Sequence, residues 1–314
     1  MRTRKLGKTG LELSELTLGT WPLTGEGYGP VDGEDADRAI LRARELGINA
    51  FDTADHYGAS GSEPFESRLG RLVGKDPGAI IVTRGGHDLA ATPSRKRFDR
   101  LFLHRSAARS ADRLRRAPDV YLLARPTLET IKHGEACDAL GELVKDGVIK
   151  HWGVSCSDAR TAIAAVERGA AVVGLAYNLF AQDDLHESLA EIASANVGLL
   201  THSPLSYGLL CGTWSTDRRF ADGDHRRDRW TPADLTHRLR QVAALRPLVH
   251  DDIHTLRAAA LRFVLANGKV SSCIVGARSA QQIEGNVRAI GDGPPYLPTE
   301  DLVKVGELTV GATV

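Results

Sequence analysis

The chain predicts an α/β fold, a (β/α)8 TIM barrel preceded by an N-terminal β-hairpin. Three observations carry that expectation. Short apolar, β-rich runs alternate with longer stretches of helical periodicity, which is the pattern of strand–helix units on a parallel sheet. Eight such runs can be placed along the 314 residues, a length that one barrel commonly fills. The chemistry-bearing residues Asp52, Arg84, Ala124, Ser155 and His202 fall at or beside the predicted strand ends, the face on which barrels of this kind build their sites.

In chain order, residues 1–15 read as a hairpin turning at Lys8-Thr9-Gly10. The strands are expected at 15–20, 49–54, 79–84, 119–124, 148–155, 171–177, 198–203 and 270–275. Helical stretches lie between them at Glu34 to Leu46, Leu128 to Lys145, Asp158 to Arg168, Leu185 to Asn196 and Ile253 to Ala266. Arg95 to Arg116 holds eight arginines, many spaced by three and four, and this predicts a helix with a charged, solvated face. Thr213 to Pro232 is long, polar and rich in arginine and tryptophan. It reads either as a lid or as a surface loop with incidental charge. No linker or low-complexity tract interrupts 1–314, so one domain is expected.

Forty basic residues balance forty acidic ones, which argues against binding to nucleic acid or an anionic membrane and leaves a small molecule as the expected partner, to a monomer or homo-oligomer. The first residues carry charge with no apolar run behind them, as in a cytoplasmic protein rather than one with a secretory signal. Cys137, Cys156, Cys211 and Cys273 have no zinc or dithiol spacing and are expected to be buried free thiols; no metal site is anticipated.

Tyr57 lies five residues after Asp52 in Phe51-Asp52-Thr53-Ala54-Asp55-His56-Tyr57-Gly58. A phenol serves as a general acid near neutral pH only with a cation nearby to stabilise the phenolate. This segment resembles the strand-and-loop signature of the aldo-keto reductases. The resemblance extends through Leu6-Gly7-Lys8-Thr9-Gly10, Leu18-Gly19-Thr20-Trp21, Gly153-Val154-Ser155, Tyr177-Asn178-Leu179, Ser203-Pro204-Leu205 and Gly276-Ala277-Arg278-Ser279. It implies that the hairpin closes the barrel bottom and that Asp52, Tyr57 and Arg84 form the catalytic set. Arg84 stands where the family has lysine, and is expected to grip Asp52 through two parallel hydrogen bonds and to lower the pKa of Tyr57. Ala124 stands where the family has the histidine that orients the substrate carbonyl. His56, His87 and His202 are each candidates to compensate for it in part.

The resemblance also implies an NADP (NADPH) site made by Thr20, Trp21, Asp52, Ser155, His202, Ser203, Leu205, Arg278, Ser279, Gln282 and Asn286. Arg278 and Ser279, at the entrance of a helix, would hold the 2′-phosphate, with Gln282 and Asn286 near the adenine. Three departures weaken the match. Gly285 replaces a glutamate, Cys156 and Gly174 replace the two amides that hold the carboxamide, and His202 replaces the tyrosine that stacks under the nicotinamide. The expected function is an NADP-dependent oxidoreductase acting on an unusual small-molecule carbonyl or unsaturated substrate. A non-redox acid–base enzyme (elimination or isomerisation) and a noncatalytic nucleotide- or metabolite-binding protein are the alternatives.

Overall fold

The structure is a computed structural model that describes residues 1–59, 61 and 63–309. Strands β1 (Thr3–Lys5) and β2 (Glu12–Ser14) pair antiparallel, with Thr3 opposite Ser14. Between them the chain turns through Gly7–Thr9. Leu6 and Leu13 are wholly buried and pack on Ala50, Val82, Leu122 and Leu200, so the hairpin plugs one end of a barrel. Gly7, at φ +51°, lies so close to the start of a later strand that an added Cβ would sit 2.3 Å from the Gly198 nitrogen. The plug therefore seats only with hydrogen at that position.

β3 (Leu16–Gly19) opens the barrel, followed by α1 (Gly33–Glu45) and β4 (Ala50–Asp52). Asp32 caps α1 by accepting from the Glu34 and Asp35 amides; Glu34 and Asp35 occupy its first turn and Arg42 and Arg44 its last, all favourable to the helix dipole. Ala36, Ala39, Ile40 and Ala43 form its buried stripe. Next come α2 (Phe65–Leu72), β5 (Ile80–Gly85), a small antiparallel pair β6 (His87–Asp88) and β7 (Arg95–Lys96), and α3 (Arg100–Leu114). The remaining units are β8 (Val120–Ala124), α4 (Leu128–His133), α5 (Glu135–Lys145), β9 (His151–Ser155), α6 (Ala159–Glu167), β10 (Val172–Ala176), α7 (Asp183–Ser194) and β11 (Gly198–His202). After them follow α8 (Pro232–Ala244), α9 (Leu256–Ala266), β12 (Ser272–Gly276), α10 (Ala280–Ala289) and α11 (Thr299–Leu308).

Strands β3, β4, β5, β8, β9, β10, β11 and β12 close into a parallel barrel in that order, with β12 returning to β3. The larger core fills the layer between this barrel and its helices, and the smaller one fills the barrel beneath the site. The expected (β/α)8 TIM barrel with an N-terminal hairpin is thus the observed fold.

Two local expectations are corrected. The helix predicted over Leu128 to Lys145 is two helices, because Gly134 adopts φ 88°, which ends α4 and starts α5. The arginine-rich run is not one solvated helix face. Arg95 lies on the β6–β7 hairpin, and α3 begins only at Arg100. Within α3, Arg105 and Arg109 are exposed, but Arg113 pairs with the fully buried Glu66 at 3.2 Å. Arg116, just beyond, pairs with the buried Asp119 at 2.9 Å.

Candidate active site

The eight strand ends open into a cavity of about 730 Å³. Asp52 is the last residue of β4 and only 2% exposed. Arg84, near the end of β5, brings one nitrogen 2.6 Å from Asp52 Oδ2 and donates from the other, Nη1, to the Tyr57 hydroxyl at 3.4 Å. The expected two-bond grip on Asp52 is therefore replaced by a bridge, with one nitrogen for the carboxylate and one for the phenol. Tyr57 reaches this point from the turn after β4, its ring stacked on Trp21 with centroids 6.4 Å apart.

Burial dominates the electrostatics. It pushes the Asp52 carboxyl up to about 6 even though Arg84 opposes the shift. It also raises the Tyr57 phenol above its ordinary value, against the attraction of Arg84 and with Asp52 acting in the same direction as burial. Arg84 lowers the phenol as expected, through its charge and its hydrogen bond, but the desolvation of a phenolate outweighs it and the net displacement is upward. The phenol is accordingly protonated at neutral pH, the state a proton donor requires. Burial likewise pushes the His202 imidazole down to about 3, with Arg84 and Arg125 contributing, so the ring is neutral. Its Nδ1 lies 3.2 Å from Ser203 Oγ, and its buried Nε2 has no protein partner.

Of the residues expected to hold a cofactor, Trp21, Asp52, Ser155, His202, Ser203, Leu205, Arg278, Gln282 and Asn286 line the cavity. Thr20 and Ser279 are set back from it. The Thr20 hydroxyl donates to the Asp52 carbonyl at 2.9 Å, fixing the strand end, and Ser279 caps α10 by accepting from the Gln282 amide. The Asn178 of Tyr177-Asn178-Leu179 donates to the Ser203 carbonyl at 3.0 Å, holding the turn after β11, where Ser203 has φ 58°.

At the α10 end, Arg278 donates to the Pro30 carbonyl at 3.0 Å while its buried Nε has no partner among the described residues. At Gly285 an added Cβ would lie 2.6 Å from an Arg257 nitrogen, the far end of a flexible side chain that would have to move aside. Arg257 also lines the cavity. Gly174 is different. An added Cβ would meet nothing closer than the Ser155 Cα at 3.7 Å, so the backbone does not forbid an amide side chain there. Cys156 is buried, and its thiol is pushed well up by desolvation, as expected of an inert thiol. Cys211 corrects the expectation of buried cysteines, being half-buried at the cavity wall.

The segment 213–232 crosses the mouth. Trp214, Arg218 and Arg226 line the cavity, and the His225 amide donates to the Gly27 carbonyl at 3.0 Å, tying the segment to the loop after β3. Arg226, paired with Asp224 at 2.6 Å, lies 4.8 Å from the Tyr28 ring centroid.

Sequence reasoning missed several lining residues, above all Lys96, Arg125 and Arg257. Lys96 was hidden in a run read as helix, although Thr92-Pro93-Ser94 between two short runs is a hairpin signal. It also missed that Asp55, His56 and His87 each offer a ligand atom within 4.8 Å of the others, a trio near enough to hold an ion. Its Asp55 carboxylate also accepts from Ser106 at 2.9 Å.

Comparison with known proteins agrees with this geometry. Residues 15–294 match the model of the Aldo/keto reductase family. An L-glyceraldehyde 3-phosphate reductase of Escherichia coli (strain K12) is 30% identical over 93% of this chain and 88% of its own. A probable voltage-gated potassium channel subunit beta of Arabidopsis thaliana is 28% identical over 95% of this chain and 94% of its own. The structure of a glycerol dehydrogenase from Gluconobacter oxydans superposes with a TM-score of 0.83 at 25% identity, covering 99% of this chain and 95% of that one. The chain belongs to the aldo/keto reductase family. Among the described residues no helix is long and apolar enough to cross a membrane.

Proposed function

We propose that the protein is an NADP-dependent oxidoreductase that reduces a small-molecule carbonyl or conjugated double bond, with Tyr57 as the proton donor. The observation that carries this reading is the Asp52–Arg84–Tyr57 bridge at the strand ends of a cavity large enough for cofactor and substrate together. The cofactor, when bound, supplies the hydride. Tyr57 gives its hydroxyl proton to the oxygen that gains charge, and Arg84 stabilises the phenolate left behind. A guanidinium does not give up its proton, so Arg84 acts as a fixed charge and not as a relay. Asp52 keeps that charge in place.

The residues present fit a dinucleotide phosphate best at the α10 end. Arg278, with a buried Nε that has no partner, and Arg257 stand beside a helix N-terminus, an arrangement suited to a 2′-phosphate. Titration should therefore show NADPH binding at least tenfold more tightly than NADH, with Arg278→Ala reducing that preference by about 1.5–3 kcal/mol, the usual worth of a hydrogen bond to a charged group. Equal affinities in the unmodified protein would remove the cofactor assignment.

A second reading is favoured by Cys156 and Gly174, which leave the carboxamide end without side-chain amides. In it, the same Tyr57, Asp52 and Arg84 catalyse a non-redox elimination or isomerisation. Failure of the folded protein to bind either dinucleotide would support that reading over the first.

A further inference from the structure

The catalytic end of the cavity carries more positive charge than its own carboxylates account for. Arg84 is matched by Asp52. Two further cations line the cavity without an acidic partner among the described residues. Lys96, on the β6–β7 hairpin, extends its ammonium inward to donate to the Ala124 carbonyl at 2.5 Å, and among the described residues its side chain makes no other hydrogen bond or ion pair. Arg125, which follows Ala124 in the chain at φ 52°, has no side-chain hydrogen bond or ion pair among the described residues. Between them stands Ala124, whose methyl group leaves open the wall of the cavity at the end of β8.

Both are exposed residues at the cavity, so their charges are solvated and open to an anion that enters it. The nearness of the two cations is felt at Lys96. Burial pushes its ammonium down to about 8, and the neighbouring Arg125 pushes in the same direction, opposed by Asp55. Asp55 does not supply the missing partner, because its carboxylate is taken up by Ser106 at 2.9 Å and His56 at 3.2 Å. His87, also in this wall, is pushed down to about 4 and adds no charge at neutral pH.

We propose that Lys96 and Arg125, flanking Ala124, form a subsite for an anionic group on the substrate, a carboxylate or a phosphate ester, so that the substrate is an aldehyde or ketone bearing such a group. The inference rests on the reductase reading of the cavity and gives it a substrate class. An ammonium and a guanidinium together suit an oxyanion, the latter by its planar fork of donors. The subsite takes over the work of orienting the substrate, which a histidine at position 124 would do in the resembled enzymes. Binding the remote anion fixes where the carbonyl lies relative to Tyr57.

The test compares charged and neutral substrates of similar size in the presence of saturating NADPH: glyceraldehyde 3-phosphate against glyceraldehyde, and 4-oxobutanoate against butanal. The charged member of at least one pair should have a tenfold or greater advantage in kcat/KM, and the pair that shows it distinguishes phosphate from carboxylate. Lys96→Met and Arg125→Met should each reduce that ratio at least tenfold, with Lys96→Arg recovering part of it. Equal kcat/KM within both pairs, or a ratio untouched by both substitutions, overturns the subsite. If no NADPH is consumed with any substrate, the reductase reading fails separately, and calorimetric titration with glycerol 3-phosphate and butanoate then decides the subsite. Binding lost in Lys96→Met and Arg125→Met supports it, and no binding, or binding equal in all three proteins, overturns it.

Discussion

Tyr57→Phe should lower kcat by about 10²–10⁴, the range over which a positioned general acid accelerates proton transfer, while leaving cofactor affinity close to that of the unmodified protein. Only the hydroxyl is removed. Its one described partner is an Arg84 nitrogen at the long distance of 3.4 Å, so little ground-state structure depends on it. The ring remains stacked on Trp21. Because burial raises the phenol above its ordinary value, the unmodified enzyme should hold its activity across neutral pH, and only alkaline solution should deprotonate the donor. Steady-state rates measured against pH for both proteins check this. A Tyr57→Phe protein within a few-fold of full activity, with the same profile, would rule out the phenol as donor.

Arg84→Leu is expected to have the largest effect on stability. Removing one partner of a buried ion pair leaves the other charge uncompensated, which typically costs about 3–5 kcal/mol. Here the stranded group is Asp52, 2% exposed and already pushed up to about 6 with the guanidinium beside it. The folded-state pKa of Asp52 is raised above its unfolded value. Its contribution to stability is therefore fully present below about 4 and is lost as pH rises through about 6. Without Arg84 the folded-state value rises further, so the window of loss moves to higher pH and the penalty at neutral pH grows. Urea unfolding of Arg84→Leu should accordingly show a large deficit at pH 7.5 that shrinks at pH 5. Adding Asp52→Asn should remove most of the pH dependence, because the titrating carboxyl is gone. A deficit below about 1 kcal/mol, or one independent of pH, would show that the pair is not the buried, coupled unit described here.

The barrel was legible because its signal is repeated. Each strand is a short apolar run, and eight of them alternating with helical periods leave few other topologies. Failures came where a single residue or a local pairing decided the geometry. Gly134 breaks a helix that the apolar period alone carries straight through. The β6–β7 hairpin is only two residues on each side, too short for an alternation to register, and its lysine sat among arginines whose spacing suggested a helix. Arg125 follows a strand end, where a positive φ turns the backbone, and position alone does not tell a cavity wall from a surface.

The candidate site divides in the same way. Motif spacing located Asp52, Tyr57 and Arg84 together, yet not the balance of forces between them. Whether a phenol is raised or lowered depends on its burial against its neighbours, which a sequence does not contain. The sequence likewise marked Gly285 as a departure without showing that Arg257, 28 positions earlier on another helix, lies against it.

The reductase reading is tested most directly by following hydrogen. NADPH deuterated at C4 of the nicotinamide ring, in each stereochemical form, is supplied with the carbonyl compound that turns over fastest in the charged and neutral comparison. Product is then examined for label by mass spectrometry. The account predicts that one of the two labelled forms places one deuterium on the former carbonyl carbon for each NADPH oxidised, and that the added hydroxyl hydrogen comes from solvent. Product that forms with no NADPH consumed and no deuterium incorporated would contradict it, and would transfer Tyr57, Asp52 and Arg84 to an acid–base reaction without redox change.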